Sequence, residues 1–361
     1  MKKALILTAS FGGGHNKAAN NIKEKLEQRG FEVNEIDLLK EISEKLDNLL
    51  VGGYLRIVTK TTEIYGLIYK STNITQSQNI FSKPILNILS NKILPILEEK
   101  KPDVVIGTHV FAIGVMEHIK QKDYYDVPFI SVITDYVTHK MYFSDYVDYY
   151  IVASEFTRNK MIDDGIKQDK IFAYGIPIDD SFKERHYYKK EGFNILTIFG
   201  ALGMNDFSEY IIPILDIADD IKLTMVCGKN EELKEKLEKK YSLFVDQNRL
   251  EFIGYTNEIA KLMEEHQILI TKPGGLTLTE AIIKNIPLII PFYIPGHEEE
   301  NRNFVVEEEI GVYANGVDAV VKEVTKFYKN RRKVEYMALN MKDIAEGFSV
   351  DKIADLVEKI I

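Results

Sequence analysis

The stretch ITKPGGLTLTEAI, residues 270–282, decides the fold. An apolar strand runs through Thr271 into Lys272, Pro273 and two glycines, and a helix-forming series starts at once. After a parallel strand, bare glycines let a ligand approach the main chain, and the next helix turns unpaired N–H groups and its positive end toward an anion. The first strand of the chain ends in a matching junction, TASFGGGHNKAA, residues 8–19, where three glycines run into His15. A helix end stabilises an anion by about 0.3 to 2 kcal/mol. That is modest, but it fixes where a phosphate would sit. Neither junction has the P-loop spacing G-x-x-x-x-G-K-[ST]. Neither has G-x-G-x-x-G with an acidic residue about 20 positions on, so ATPases and NAD enzymes lose ground.

Around each junction the chain alternates short apolar runs with amphipathic ones. KALILTAS, a helix over about 15 to 29, FEVNEIDL, DVVIGTH, PFISVITD and YYIVASE make one βαβ series. FNILTIFG, a helix near 206 to 219, KLTMVCG, NEELKEKLEKK, LEFIGYT, QILITKPGG, a further helix and PLIIPFY make a second. Between them YGIPIDDSFKERHYYKKEG is polar and lacks apolar periodicity, as a linker does. The expected domains are therefore 1–176 and 193–344, joined by a linker at 177–192. No repeat or low-complexity tract is evident.

With 361 residues, 45% of them hydrophobic, the chain can bury two cores. A net charge of -9 argues against a nucleic-acid partner, which needs clustered lysine and arginine. The single cysteine, Cys227, lies in an apolar run and reads as a buried thiol in a reducing cytosol. The basic start leads into an apolar stretch of strand length rather than a signal segment, and no uncharged apolar run approaches 18 residues. Any membrane contact is expected to be peripheral.

One segment breaks the acidic average. Residues 48–97 carry Arg56, Lys60, Lys70, Lys83 and Lys92 against Glu63 alone, with Tyr54, Tyr65, Tyr69 and Phe81 interleaved. Such composition suits anionic lipid headgroups, at about 1 kcal/mol per basic residue near the surface. An ordinary helical insertion packed on the first sheet has the same composition, and both readings stay open.

Beyond the second junction, IPFYIPGHEEENRNF (residues 290–304) places His297, Glu298, Glu299 and Asn301 at a helix start. Carboxylate and amide groups held at a strand end suit vicinal hydroxyls, and Glu280 could reach the same crevice. A solvated, dipole-stabilised acidic helix start is the plainer reading of the three glutamates. HEEEN offers candidate metal ligands, but no H-E-x-x-H or cysteine-histidine spacing accompanies it, so no metal and no cofactor is expected.

Taken together, GGGHNKAA, TDYVTHKMYFSDYVDYYIVASE, YGIPI and TKPGGLTLTEAIIKNIPLIIPFYIPGHEEENRNF resemble the motifs of the processive diacylglycerol glycosyltransferases and monogalactosyldiacylglycerol synthases. They are more distantly similar to the glycosyltransferase that completes the lipid precursor of peptidoglycan. The resemblance implies an α/β GT-B architecture, two Rossmann-like domains with parallel sheets facing across a cleft. In it the UDP-sugar lies on the C-terminal domain and the lipid acceptor on the N-terminal one, with the terminal helix, about 345–361, returning to the first domain.

By that resemblance Glu280 takes the ribose hydroxyls and the amides of Gly274, Gly275, Leu276 and Thr277 take the diphosphate. Glu298 and Asn301 take the sugar hydroxyls, and uracil lies near Ile253 and Tyr255. Gly14, Gly200 and His297 join the donor side. His15 becomes the base that removes the acceptor proton, and a histidine titrates near working pH, as that role requires. Asp135 could orient His15 or share its role. His109 and His139 line the acceptor cleft or are simple caps, while Tyr54, Arg56, Lys60, Tyr65 and Tyr69 meet the membrane.

The sequence departs from the family pattern at Tyr142, where tryptophan is common, at His297, where glutamine is usual, and at Glu300. These departures bear on the sugar more than on the fold, since glucose and galactose differ at one hydroxyl. The expected function is an inverting transferase that moves glucose or galactose from a UDP-sugar to diacylglycerol, giving a β-glycolipid at the cytoplasmic membrane face. A UDP-N-acetylglucosamine 2-epimerase and a non-catalytic UDP-sugar sensor are the alternatives.

Overall fold

The computed structural model describes residues 1–10, 13–41, 83–184, 186, 192–198 and 207–361. Tyr54, Arg56, Lys60, Tyr65, Tyr69 and Gly200 lie outside the described residues. Contacts divide the chain into two compact units. The first is Met1–Ile178 with Ile294–Glu300 and Gly347–Ile361; the second is Asp179–Tyr293 with Asn301–Glu346.

The first unit runs β1 (Lys3–Thr8), α1 (Gly14–Gln28), β2 (Glu32–Asp37), α2 (Leu38–Glu41), α3 (Lys83–Lys100), β3 (Val104–Gly107), α4 (Val110–Gln121), β4 (Phe129–Val132), β5 (Tyr149–Val152), α5 (Glu155–Asp163) and β6 (Ile171–Ala173). Among the described residues its strands form one parallel six-stranded sheet in the order β2-β1-β3-β4-β5-β6.

Strand side chains alternate between the two faces, so β1 serves two cores. Leu5 and Leu7 pack on one face with Leu89, Ile93, Phe111 and Val115 from α3 and α4. Ala4 and Ile6 pack on the other with Ala19, Ile22 and Leu26 of α1 and with Ile353, Leu356 and Val357 of the C-terminal helix, Val350–Ile360. Burial on both faces explains why β1 and β3 are continuous apolar runs. Arg29 at the end of α1 ties that terminal helix down through Asp355 at 2.5 Å and Glu358 at 3.1 Å.

The second unit runs β7 (Phe193–Ile198), α6 (Ser208–Leu215), β8 (Ile221–Gly228), α7 (Glu231–Lys240), α8 (Ser242–Asp246), β9 (Leu250–Gly254), α9 (Ile259–Glu265), β10 (Ile268–Thr271), α10 (Gly275–Lys284), β11 (Leu288–Ile290), α11 (His297–Glu307, which joins this unit from Asn301 on), β12 (Gly311–Tyr313), α12 (Val317–Lys329) and α13 (Arg331–Ala345). Its parallel sheet has the order β12-β11-β10-β7-β8-β9. Phe193 and Ile195 of β7 pack there against Ile211 and Ile214 of α6 and Val320, Val324 and Phe327 of α12. Cys227 is buried in this core, and burial pushes its thiol up to about 11.

Candidate active site

In the first sheet the chain goes from β1 to β2 on one side, while β3 lies on the other. The carboxyl ends of β1 and β3 therefore flank a topological switch point, where open α/β sheets bind ligands. β1 leads to Gly14 and His15, the first two residues of α1, and β3 leads to Thr108 and His109.

His15 Nδ1 lies 2.8 Å from the carbonyl oxygen of Thr108 and 2.9 Å from Thr134 Oγ1. A carbonyl can only accept, so Nδ1 carries the proton and Nε2 keeps its lone pair. As a residue His15 is half-buried. Its pKa falls below the ordinary 6.5, first because protein atoms displace water around it. The negative charge of Asp135 and the Thr108 carbonyl pull it back up, and His297 adds a smaller downward push. Near neutral pH, His15 is thus an unprotonated base of fixed tautomer.

The other expected groups have separate tasks. His109 caps α4 by accepting from the Phe111 N–H at 3.2 Å. Its ring meets His15 edge-on, with centroids 4.6 Å apart. Burial, and then the neighbouring His15, hold it well below the usual imidazole value. His139 is fully buried and caps the short turn Lys140–Tyr142 by accepting from the Met141 N–H at 3.1 Å. Both histidines therefore act as caps. Asp135 influences His15 through charge, while the contacts on Nδ1 come from Thr108 and Thr134.

Sequence reasoning did not single out those two threonines. Its available signal was a polar residue just past each of two apolar strands, β3 and β4, which are sheet neighbours.

The second sheet repeats the logic: β8 and β9 extend on one side of β7, and β10 lies on the other. The carboxyl end of β10 continues through Lys272 and Pro273 into Gly274, the N-cap of α10, which has no side-chain cap bond. The first-turn N–H groups, at Gly275, Leu276 and Thr277, thus point out of a helix start with no side chain bonded across it. Gly274 has an ordinary extended conformation, φ -72 and ψ 137. Among the described residues, an added Cβ would meet only Lys272 Nζ, at 3.7 Å. Among the described residues the packing around Gly274 would also admit alanine, and a bare main chain at this helix start leaves room for a ligand.

Asn301 and Glu298 are both fully buried and bonded to main chain. Asn301 Nδ2 donates to the Pro273 carbonyl at 3.0 Å, fixing the loop before α10. Glu298 accepts from the Ile294 N–H at 2.9 Å and shapes the turn before α11. Glu280 on α10 and His297 at the head of α11 stay partly exposed. Ile253 is the penultimate residue of β9, and Tyr255, just past the strand, is exposed, with Lys229 Nζ 5.5 Å over its ring. Among the described residues no cluster of three or more His, Cys, Asp or Glu could hold a metal ion. Among them, too, no helix is long and apolar enough to cross a membrane.

The family model for monogalactosyldiacylglycerol (MGDG) synthase matches residues 15–178, and that for the glycosyltransferase family 28 C-terminal domain matches residues 195–357. A processive diacylglycerol beta-glucosyltransferase of Bacillus pumilus is 30% identical over 373 residues, covering 99% of this chain and 95% of the relative. The chain belongs to the diacylglycerol glycosyltransferase family. It is a glycosyltransferase, and its two matched regions meet the two switch points just described.

Among solved structures, MurG of Acinetobacter baumannii is similar with a TM-score of 0.68 at 16% identity, over 99% of this chain and 100% of that one. The UDP-GlcNAc 2-epimerase of Neisseria meningitidis, bound to UDP-GlcNAc, is similar with a TM-score of 0.61 at 11% identity, over 100% and 99%. These likenesses show the GT-B fold, which transferases and epimerases share. Full-length identity to the glucosyltransferases, not the fold, sets the chain among the transferases.

Proposed function

We propose that this glycosyltransferase moves a hexose from a UDP-sugar to the free hydroxyl of diacylglycerol, with inversion to a β-glycoside, at the cytoplasmic face of the membrane. The observation that carries the chemistry is His15, neutral and pinned through Nδ1 on the Thr108 carbonyl. Its Nε2 takes the acceptor proton as the hydroxyl oxygen bonds to the anomeric carbon and the diphosphate oxygen leaves. One displacement inverts the centre. A positioned base contributes about 10² to 10⁴ in rate.

The leaving diphosphate gains negative charge, and the first-turn amides of α10 with the nearby Lys272 ammonium suit it without a metal. Glu280 and the residues around Tyr255 are the donor contacts we assign to ribose and uracil. For Glu298 and Asn301, the proposed sugar contacts join the loop-holding bonds already described. UDP-glucose is placed first as donor because the curated relative is named a glucosyltransferase. The basic and aromatic composition of residues 48–97 supports peripheral attachment to anionic lipid.

Incubation with labelled UDP-glucose or UDP-galactose and vesicles containing diacylglycerol should label a lipid, with glucose the better donor. No labelled lipid from either donor would overturn the reading.

A further inference from the structure

Glycine gives the His15 junction freedom that a base cannot tolerate. The N-cap of α1, Gly13, makes no side-chain cap bond, yet a catalytic group must stay within about 0.5 Å of its working position. Something other than the loop's own backbone has to hold the ring.

The hydrogen bonds form a closed circuit that does so. Thr108 accepts from His15 Nδ1 through its carbonyl at 2.8 Å, and its hydroxyl donates to Thr8 Oγ1 at 2.9 Å. Thr8 Oγ1 in turn donates to Asn16 Oδ1 at 2.8 Å, and Asn16 is covalently joined to His15. The polarity is forced, because each hydroxyl has one proton and the amide oxygen can only accept. From Asn16 the chain continues: Nδ2 donates to Ser10 Oγ at 2.9 Å, and Ser10 Oγ donates to Asp37. The Asp37 carboxylate also takes the N–H groups of Ser10 and Leu39, at 3.3 and 3.1 Å. The last strand residue of β1, the loop, the first turn of α1 and the end of β2 are thus tied to one another.

Packing does not explain Thr8 and Thr108. Both are fully buried, at 0% and 1% exposure, beside the apolar pair Leu7 and Gly107 of neighbouring strands. Valine would fill the same space, and a buried hydroxyl is tolerated only because it is bonded. The pair sits where its bonds reach the base from both sides. We propose that Thr8 is a positioning residue for His15, acting through Thr108 on the imidazole and through Asn16 on the backbone that carries it. The inference rests on His15 being the base.

The test compares Thr8→Val with Thr8→Ser in the full chain. Serine keeps the hydroxyl and should keep turnover near that of the unsubstituted protein. Valine keeps the shape but strands the Thr108 hydroxyl and the Asn16 carbonyl, and kcat should fall about tenfold or more while the donor KM holds. The second readout is the titration of the His15 ring by NMR of histidine-labelled protein, its signal assigned by its absence in His15→Ala. Around that ring stand Asp135, His109 and His297. Thr8→Val should move the midpoint downward as the Thr108 carbonyl loosens, and Thr8→Ser should not.

A folded Thr8→Val protein with unchanged kcat and unchanged titration overturns the proposal. If Thr8→Val does not fold, Thr108→Val against Thr108→Ser reads the same circuit from its other side, with the same outcomes for and against. Undiminished turnover in His15→Ala would instead sink the base assignment, while the titration would still report whether the circuit holds the ring.

Discussion

Adding one methyl group at Gly107 should disable the enzyme far more than it destabilises it. Gly107 ends β3 in an ordinary backbone conformation, so alanine meets no dihedral strain there. The obstacle is steric: the new Cβ would lie 2.7 Å from Ala112 Cβ and 3.0 Å from two ring carbons of Phe129. Carbon atoms prefer about 3.5 to 4.0 Å, so α4 or the strand end must move by about 1 Å. Overpacking of this kind costs about 1 to 3 kcal/mol, offset by about 0.5 to 1 kcal/mol from the less flexible unfolded chain. A net loss of about 0 to 2.5 kcal/mol leaves most of the protein folded.

The next residue is Thr108, whose carbonyl holds His15, and a 1 Å misplacement of a catalytic group costs about 10²-fold in rate. Urea unfolding gives the stability of Gly107→Ala, and labelled-lipid formation gives kcat. Adding Ala112→Gly should recover part of both. A folded Gly107→Ala enzyme with unaltered kcat would refute the claim that the Thr108 position governs the base.

Two other outcomes follow from the same geometry. The folded pKa of His15 lies below 6.5, so kcat should hold level as pH falls through 6.5 and drop only below it; a half-maximum at or above 6.5 contradicts the burial argument. The unfolded chain takes those protons first. The stability that His15 and His109 leave intact above 6.5 should therefore be lost as pH falls toward their lowered folded values, which urea midpoints on either side of 6.5 would show. At the other junction, Gly274→Ala should fold with an unchanged melting temperature yet bind UDP about tenfold more weakly by calorimetry, because the methyl obstructs a ligand and not the protein.

Both glycine junctions were legible in the sequence, since short continuous apolar strands followed by glycine runs fix where each helix starts. The helix expected over about 15 to 29 is Gly14–Gln28, displaced by a single residue. His15 and the start of α10 follow directly from those boundaries. The clasp on His15 was not legible, because Thr108 and Thr134 lie 93 and 119 positions away and become its neighbours only when β1, β3 and β4 align. His109 and His139 illustrate the opposite difficulty. A histidine after an apolar strand does not show in the sequence which backbone group it meets, and the bonds to the Phe111 and Met141 N–H groups appear only in the structure. Glu298 and Asn301 showed their chemistry but not their burial, which depends on turns that bring Ile294 and Pro273 against them.

The most direct measurement is the turnover of His15→Ala with saturating UDP-glucose and diacylglycerol vesicles, read beside its affinity for UDP. The predicted result is a kcat lower by about 10² to 10⁴ with UDP binding unchanged. A variant that keeps most of its turnover would contradict the assignment of His15 as the base.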